Sequence, residues 1–212
     1  MKIVLTAIEA ADAQMWREFC GDFAGVTVHQ GSVFEVACEA VVSPANSFGF
    51  MDGGIDYLYS RRFGWGVQER LQATIRAHHH GELLVGAAEI VSTEDEEIPF
   101  VIAAPTMRVP MVLRETVNPY LAARAALLMV KEGRFRAGEW AGAPIAERVR
   151  TVAFPGLGTG VGRVPFAVCA HQMRAALEDV LGGVIPYPRT WAEASTRHQM
   201  LYTSHARNLQ RE

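Results

Sequence analysis

Short apolar runs alternate with amphipathic segments along this chain of 212 residues, and the alternation limits the folds that it can adopt. Six runs rich in β-branched or aromatic residues predict strands, and most of the segments between them repeat their apolar residues at helical spacing. Strands that alternate with helices favour an α/β sandwich, in which helices cover both faces of a largely parallel sheet. In such sheets ligands bind beyond the carboxyl ends of the strands.

The predicted strands are residues 2–8, 26–29, 40–42, 88–92, 100–104 and 149–154. The predicted helices are residues 10–23, 55–80 with a break near 64–66, 119–131, 165–181 and 191–209. Pro186 and Pro188 interrupt this pattern, because proline lacks a backbone donor. We therefore predict one domain over residues 1–185 and a helical extension over residues 186–212 that packs on it.

The charge balance excludes several classes of partner. The chain has 20 Lys and Arg against 23 Asp and Glu, a net charge of −3 without a basic block. A protein that binds duplex DNA or an anionic membrane surface typically carries a basic patch. No segment approaches the roughly 18 apolar residues of a membrane span, and the first residues lack the apolar core of a signal peptide. We expect neither a membrane nor a nucleic acid as the main partner.

Cysteine usage points to a compartment. Cys20, Cys38 and Cys169 form no C-x-x-C pair, and an odd number leaves one thiol over in any disulfide scheme. Reduced thiols are typical of cytoplasmic proteins. We expect a soluble, cytoplasmic monomer.

The second of two glycine-rich runs follows the strand over 149–154 and has the sequence Phe-Pro-Gly-Leu-Gly-Thr-Gly-Val-Gly over residues 154–162. Glycines let backbone N–H groups turn toward an anion, and the following helix adds its positive end. The run is not a G-x-G-x-x-G fingerprint, since the third glycine would be Val161 or Arg163, and no Gly-Lys-Ser/Thr follows it. It predicts a phosphate-binding loop; the alternative is a flexible connection.

The first glycine-rich run, residues 43–56, carries two polar candidates. The amide of Asn46 can both donate to and accept from a sugar hydroxyl. Asp56 lies at the start of a predicted helix, where the dipole favours a carboxylate. The alternatives are an Asx turn for Asn46 and an ordinary helix-start acid for Asp56. The two residues lie ten positions apart, next to Gly53 and Gly54, and this combination favours a ligand site.

These segments resemble macrodomains, the ADP-ribose-binding modules. The resemblance spans residues 26–181 and is carried by Val-Val-Ser-Pro-Ala-Asn-Ser over 41–47, Gly-Gly-Ile-Asp over 53–56 and the run over 154–161. It implies a three-layer α/β/α fold with a central mixed, mostly parallel sheet, and ADP-ribose between the two glycine-rich runs. It also implies that Asn46 binds the distal ribose and that Asp56 orients or activates water; the alternative is that the diphosphate itself positions that water. The implied ligand-binding residues are Ser32, Val33, Ala45, Gly53, Gly54, Ile55, Gly158, Thr159, Gly160, Val161 and Gly162.

The chain departs from the family pattern at several positions. Where the family usually has Gly-Asp-Ile, with the acid on the adenine amino group, this chain has Gly31-Ser32-Val33, and Ser32 is a neutral acceptor. Asp52 adds a carboxylate before Gly53. The aromatic residue that often follows the second run is absent, and Arg163 could pair with a phosphate instead. The segment 104–110 and the tail with Trp191 suggest a bacterial subgroup.

The resemblance implies hydrolysis of ADP-ribose linkages, either mono-ADP-ribosyl groups on acidic protein side chains or O-acetyl-ADP-ribose. A non-catalytic module for ADP-ribose is the alternative, and a third hypothesis keeps the fold but changes the ligand to another nucleotide or an RNA end.

Three consecutive histidines at 78–80 point about 100° apart on a helix and cannot converge on one ion. We therefore expect no metal, and we expect no cofactor. The partner that the resemblance implies is ADP-ribose or an ADP-ribosylated protein.

Overall fold

A computed structural model describes residues 1–184 and 187–208, and within these ranges six strands form one sheet. The strands are β1 (Lys2–Ala7), β2 (Val26–Gln30), β3 (Ala40–Ser43), β4 (Glu89–Ser92), β5 (Phe100–Ala103) and β6 (Thr151–Phe154). The helices are α1 (Ala10–Cys20), α2 (Gly54–Phe63), α3 (Gly66–His78), α4 (Asn118–Glu132), α5 (Phe166–Leu181) and α6 (Trp191–Met200), with 3₁₀ turns at Val33–Glu35 and Ile145–Glu147.

The order of the strands across the sheet is β2-β1-β6-β3-β5-β4. Every neighbouring pair is parallel except β4 with β5, which is antiparallel. The carboxyl ends of the five parallel strands therefore lie along one edge of the sheet. Both glycine-rich runs begin at this edge, one after β3 and the other after β6.

Two hydrophobic cores cover the two faces of the sheet. Val41 and Val42 are consecutive, fully buried residues of β3, and they enter different cores because side chains alternate along a strand. Trp16 and Met173 lie in the core between the sheet and α1, α4 and α5, whereas Leu71 lies in the core between the sheet and α2 and α3. The three-layer α/β/α fold is thus confirmed, with its mixed, mostly parallel sheet.

The helices lie where the sequence predicts them, but several of them end at other residues than predicted. Helix α1 ends at Cys20, three residues before the predicted end, and Gly21 is its C-cap. The break between α2 and α3 falls at Gly64, whose φ of 77° is left-handed and interrupts the helix. Helix α6 ends at Met200; Leu209, the predicted end, lies outside the described residues.

Helix α6 contacts α5. Nε2 of His171 lies 3.1 Å from the carbonyl of Met200, and Arg197 donates a hydrogen bond of 2.6 Å to Asp179. The predicted boundary between domain and extension, at residues 185–186, lies outside the described part of the chain. None of the described helices is both long and apolar enough to cross a membrane.

Candidate functional site

A cleft of about 440 Å³ opens at the carboxyl edge of the sheet. It is lined by the two predicted catalytic residues and by every ligand-binding residue that the resemblance implies: Ser32, Val33, Ala45, Asn46, Gly53, Gly54, Ile55, Asp56, Gly158, Thr159, Gly160, Val161 and Gly162. Residues from four separate regions of the chain are therefore brought together in one place. Their individual roles remain predictions.

The strand order gives the cleft two distinct ends. At one end, where β1 and β2 finish, it is lined by Asp12, Ser32 and Phe166. At the other end, where β3 and β5 finish, it is lined by Asn46 and Met107. The glycine-rich runs lie between these ends, because β6 separates β1 from β3. We call the two ends the β1–β2 end and the β3–β5 end.

The glycine-rich run after β6 is shaped by its own packing. A Cβ on Gly162 would lie 2.4 Å from the carbonyl oxygen of Gly158, so the turn requires glycine there. Leu157 N–H donates to Sγ of the buried Cys169 at 3.3 Å and fixes the start of the run. A Cβ on Gly160, by contrast, would meet no protein atom within 4 Å. Within residues 1–184 and 187–208, no acceptor binds the backbone N–H groups of 158–162, which leaves them available to an anion.

The glycine-rich run after β3 ends in the first turn of α2. Gly53 is the N-cap of this helix, and no side chain caps the helix. A Cβ on Gly53 or Gly54 would meet nothing within 4 Å, so both positions border open space. The N–H groups of the first turn of a helix have no intrahelical partner, and its dipole favours an anion. The two runs therefore present backbone donors to the same cleft.

Charged side chains around the cleft are all acidic. The described residues that line it include Glu9, Asp12, Asp52 and Asp56 but no Lys, Arg or His. Arg163, the predicted alternative partner of a phosphate, is exposed and is not among the lining residues. An anionic ligand would therefore be held by backbone N–H groups and helix dipoles rather than by cationic side chains.

Asp56 is the carboxylate most perturbed by the fold. Its side chain is buried, with 7% of the residue exposed, and Ser43 Oγ donates a hydrogen bond of 2.5 Å to its Oδ1. The pKa of Asp56 is raised to about 7, chiefly by burial and also by the charge of Asp52, whereas the Ser43 hydrogen bond lowers it. A carboxyl group with a pKa near neutrality can both take up and release a proton at physiological pH.

Asn46 organises its own loop. Its Oδ1 accepts hydrogen bonds from Phe48 N–H at 3.1 Å and Phe50 N–H at 3.2 Å, and its Nδ2 donates to the Phe50 carbonyl at 2.8 Å. The Asx-type turn, weighed as an alternative to a binding role, is therefore present. An amide nitrogen carries two hydrogens, so the second one is left for a ligand in the cleft.

Comparison with known proteins shows the family of this chain. The Macro domain family model matches residues 42–173. The chain belongs to this family. A protein of Aquifex aeolicus is 32% identical over 148 residues, which are 70% of this chain and 78% of that protein.

Two solved structures share the fold of this macrodomain. The macrodomain of Mycobacterium tuberculosis DarG superposes with a TM-score of 0.57 and 19% identity, covering 72% of this chain and 90% of that one. The Oceanobacillus iheyensis macrodomain, solved with ADP, gives a TM-score of 0.52 and 17% identity, covering 79% of this chain and 82% of that one.

Ser32, the neutral residue at the β1–β2 end of this macrodomain, has a structural role that the sequence analysis missed. Its Oγ accepts from Phe34 N–H at 3.3 Å, and its N–H donates to Oε2 of Glu35 at 3.1 Å, which forms a capping box around Val33–Glu35. The same Glu35 oxygen lies 2.9 Å from Nε2 of His29. The Ser-x-x-Glu spacing is the pattern that could have revealed this capping box.

The segment over residues 104–113, which we call the strap, holds both glycine-rich runs of the macrodomain. Thr106 N–H donates to the Ala45 carbonyl at 3.0 Å, beside Asn46. Leu113 N–H donates to the Gly162 carbonyl at 2.8 Å, at the end of the other run. The strap is itself anchored to α4, since Asn118 Nδ2 donates to the Thr106 carbonyl at 2.7 Å. Residues 104–110 were identified from the sequence as a departure from the family pattern, but their position beside the cleft was not predicted.

Proposed function

We propose that this macrodomain binds ADP-ribose and hydrolyses ADP-ribose linkages, either mono-ADP-ribosyl groups on acidic protein side chains or O-acetyl-ADP-ribose. The observation that carries the proposal is the buried carboxyl group of Asp56, with a pKa of about 7, at the start of α2 in a cleft lined by unbonded N–H groups. A diphosphate held by the two glycine-rich runs would leave the distal ribose at the β3–β5 end, beside Asn46 and Asp56.

Solved variants of the Oceanobacillus iheyensis macrodomain support this placement. They replace an asparagine, a glycine and an aspartate at intervals of seven and three residues, and the variant at the glycine was solved with ADP-ribose. Asn46, Gly53 and Asp56 follow one another at the same intervals. These intervals favour corresponding positions in the two clefts.

The chemistry assigned to Asp56 is that of a general base. In a protein-linked substrate the anomeric carbon of the distal ribose is joined to an oxygen of a side-chain carboxylate. Water adds to that carbon, the carbon–oxygen bond breaks with its electron pair on the departing carboxylate, and Asp56 takes the proton that the water loses. Orientation of the ribose by the diphosphate-binding runs supplies much of the acceleration.

A binding module without turnover is the second candidate function, and the hydrogen bonds of Asn46 favour it. Most of the hydrogen-bonding capacity of this amide serves its own loop, which weakens its hold on the ribose. Such a module would bind ADP-ribose in calorimetry and release nothing from a modified protein over long incubation.

The test compares release of ADP-ribose from a mono-ADP-ribosylated protein by wild type, Asp56→Asn and Glu69→Gln. Glu69 is a matched control because it is an exposed acid in the first turn of α3 and is not among the residues lining the cleft. We expect loss of a general base to slow release by about a hundredfold or more, with Glu69→Gln unchanged. Equal rates from wild type and Asp56→Asn would overturn the catalytic role, and absence of ADP-ribose binding would overturn the proposal as a whole.

A further inference from the structure

The β1–β2 end of the cleft contains a carboxylate that the fold itself leaves unused. Asp12 lies in the first turn of α1, lines the cleft and is half-buried. Across the described ranges 1–184 and 187–208, no donor lies within hydrogen-bond distance of its side chain. Burial and the charge of Glu9 raise its pKa, as expected for a partly desolvated carboxylate without a counter-charge.

The geometry of the cleft determines which part of a ligand reaches this carboxylate. With the diphosphate on the two glycine-rich runs and the distal ribose beside Asp56, the nucleoside must extend toward the β1–β2 end. Phe166 lines this end, and its ring is held edge-on by the buried Trp16, with the centroids 4.9 Å apart and the planes at 73°. A purine base would therefore lie in an apolar pocket that has a carboxylate on its margin.

The other polar groups at this end are already engaged. Ser32 Oγ accepts from Phe34 N–H, and Oε2 of Glu35 accepts from Ser32 N–H and lies within hydrogen-bond distance of His29. Ser32 is uncharged, and Glu35 is not among the residues that line the cleft. Asp12 and Glu9 are the carboxylates that remain among the described residues lining this end.

We propose that Asp12 determines the base specificity of the cleft by accepting a hydrogen bond from the exocyclic amino group of adenine. The proposal rests on the proposed function, since it needs a nucleoside diphosphate on the glycine-rich runs. A 6-aminopurine presents a donor to the carboxylate, whereas a 6-oxopurine presents an acceptor at the same place and is repelled. Hydrogen bonds to a charged group are stronger than neutral ones, and an unpaired buried partner is costly.

Glu9 provides a matched comparison for Asp12. It lines the same end of the cleft, but it is exposed at the N-cap of α1. Water competes fully for an exposed carboxylate and less for a half-buried one, so discrimination between bases is expected from Asp12.

The experiment measures affinity by calorimetry for ADP-ribose and for inosine diphosphate ribose, its 6-oxo counterpart. We expect wild type and Glu9→Gln to prefer ADP-ribose by roughly tenfold to a hundredfold. In Asp12→Asn the preference falls to near parity or inverts, because an amide can donate to the 6-oxo group. In Asp12→Glu, which keeps the carboxylate, part of the preference returns.

The ratio of two affinities on one variant is insensitive to a general loss of stability in α1, and thermal unfolding of each variant checks the fold. An unchanged ratio in Asp12→Asn, or a ratio lost in Glu9→Gln alone, would overturn the proposal. A wild type that binds both ligands equally would overturn it as well. A wild type that binds neither ligand would instead refute the proposed function on which it rests.

Discussion

Ser43 Oγ donates a 2.5 Å hydrogen bond to Oδ1 of Asp56 and so connects the last residue of β3 to the first turn of α2. Both side chains are buried, so the bond is shielded from water. It holds the carboxyl group at the margin of the cleft and stabilises its charged form. Burial acts in the opposite direction, and the balance leaves the pKa of Asp56 at about 7.

Replacement of Ser43 by Ala is expected to make hydrolysis require a higher pH. Loss of the hydrogen bond removes the influence that lowers the pKa of Asp56, so the pKa rises further above its ordinary value. A general base must be ionised to act, so kcat/KM at pH 7 falls severalfold while the value near pH 9 changes little. The measurement is the pH profile of kcat/KM for wild type and Ser43→Ala.

Ser60→Ala is the control for that experiment. Ser60 is also buried on α2, but its Oγ donates to the Met51 carbonyl rather than to a carboxylate. Its removal should leave the midpoint of the profile unchanged. If Ser43→Ala and Ser60→Ala had the same profile, Ser43 would have only a packing role.

Asp56 also makes the stability of the protein depend on pH. Its pKa rises from an ordinary 3.8 to about 7 on folding, so the unfolded chain loses this proton at a lower pH than the native protein does. The contribution of Asp56 is therefore most favourable below about pH 4 and is lost as pH rises to about 7. Asp56→Asn removes the effect, and each pKa unit corresponds to about 1.4 kcal/mol.

Urea unfolding of wild type and Asp56→Asn at pH 5 and pH 8 measures this effect. The free energy of unfolding of Asp56→Asn minus that of wild type should be larger at pH 8 than at pH 5, by roughly 1 kcal/mol or more. Stability differences that are equal at the two pH values would show that Asp56 has the same pKa in both states.

Substitutions at two glycines of the second run should separate ligand binding from folding. Gly160→Ala adds a methyl group where no protein atom lies within 4 Å, so we expect the Tm to change by no more than about 2 °C. The same methyl group would stand between a phosphate and the N–H groups of the loop, so affinity for ADP-ribose should fall about tenfold or more.

Gly162→Ala is the contrasting variant, because its Cβ would lie 2.4 Å from the Gly158 carbonyl and the backbone would have to shift. We expect it to lower the Tm clearly, whatever its effect on binding. Calorimetry and thermal unfolding of both variants test this pair of expectations. Full affinity in Gly160→Ala would exclude close contact between this loop and a diphosphate.

Binding of ADP-ribose should depend little on salt. The described lining residues include four acidic side chains and no basic ones, so screening removes no attraction from a nearby cation. We expect the Kd to change by less than about threefold between about 50 and 500 mM NaCl. A loss of tenfold or more would mean that an exposed arginine such as Arg163 reaches the phosphates.

The sequence predicted the parts of the site that depend on local chemistry. A glycine-rich run after a buried strand places backbone donors at the carboxyl edge of a parallel sheet, and this relationship needs no knowledge of distant contacts. For that reason the positions of Asn46, Asp56 and Gly158 in the cleft followed from the pattern. The ends of the helices were less accurate; Gly64, for example, ends α2 through its left-handed backbone, which hydrophobic spacing does not reveal.

Other parts of the site depend on tertiary structure and were not predicted. In the sequence, Asp12 is an ordinary acid in the first turn of a helix. Only the pairing of β1 with β6 brings α1, and with it Asp12, to the end of the cleft. The near-neutral pKa of Asp56 arises chiefly from burial, which is a property of the folded chain. The strap could not be placed because its bonds to Ala45 and Gly162 join segments that lie far apart in the sequence.

The strap has a consequence for how the width of the cleft can change by mutation. Because one short segment is bonded to both glycine-rich runs, the distance between the two runs depends on the conformation of that segment. Insertions or deletions within residues 104–113 would alter the width of that gap without touching a residue of either motif. The length of ligand that the cleft accepts would then depend on a segment that lies outside both glycine-rich runs.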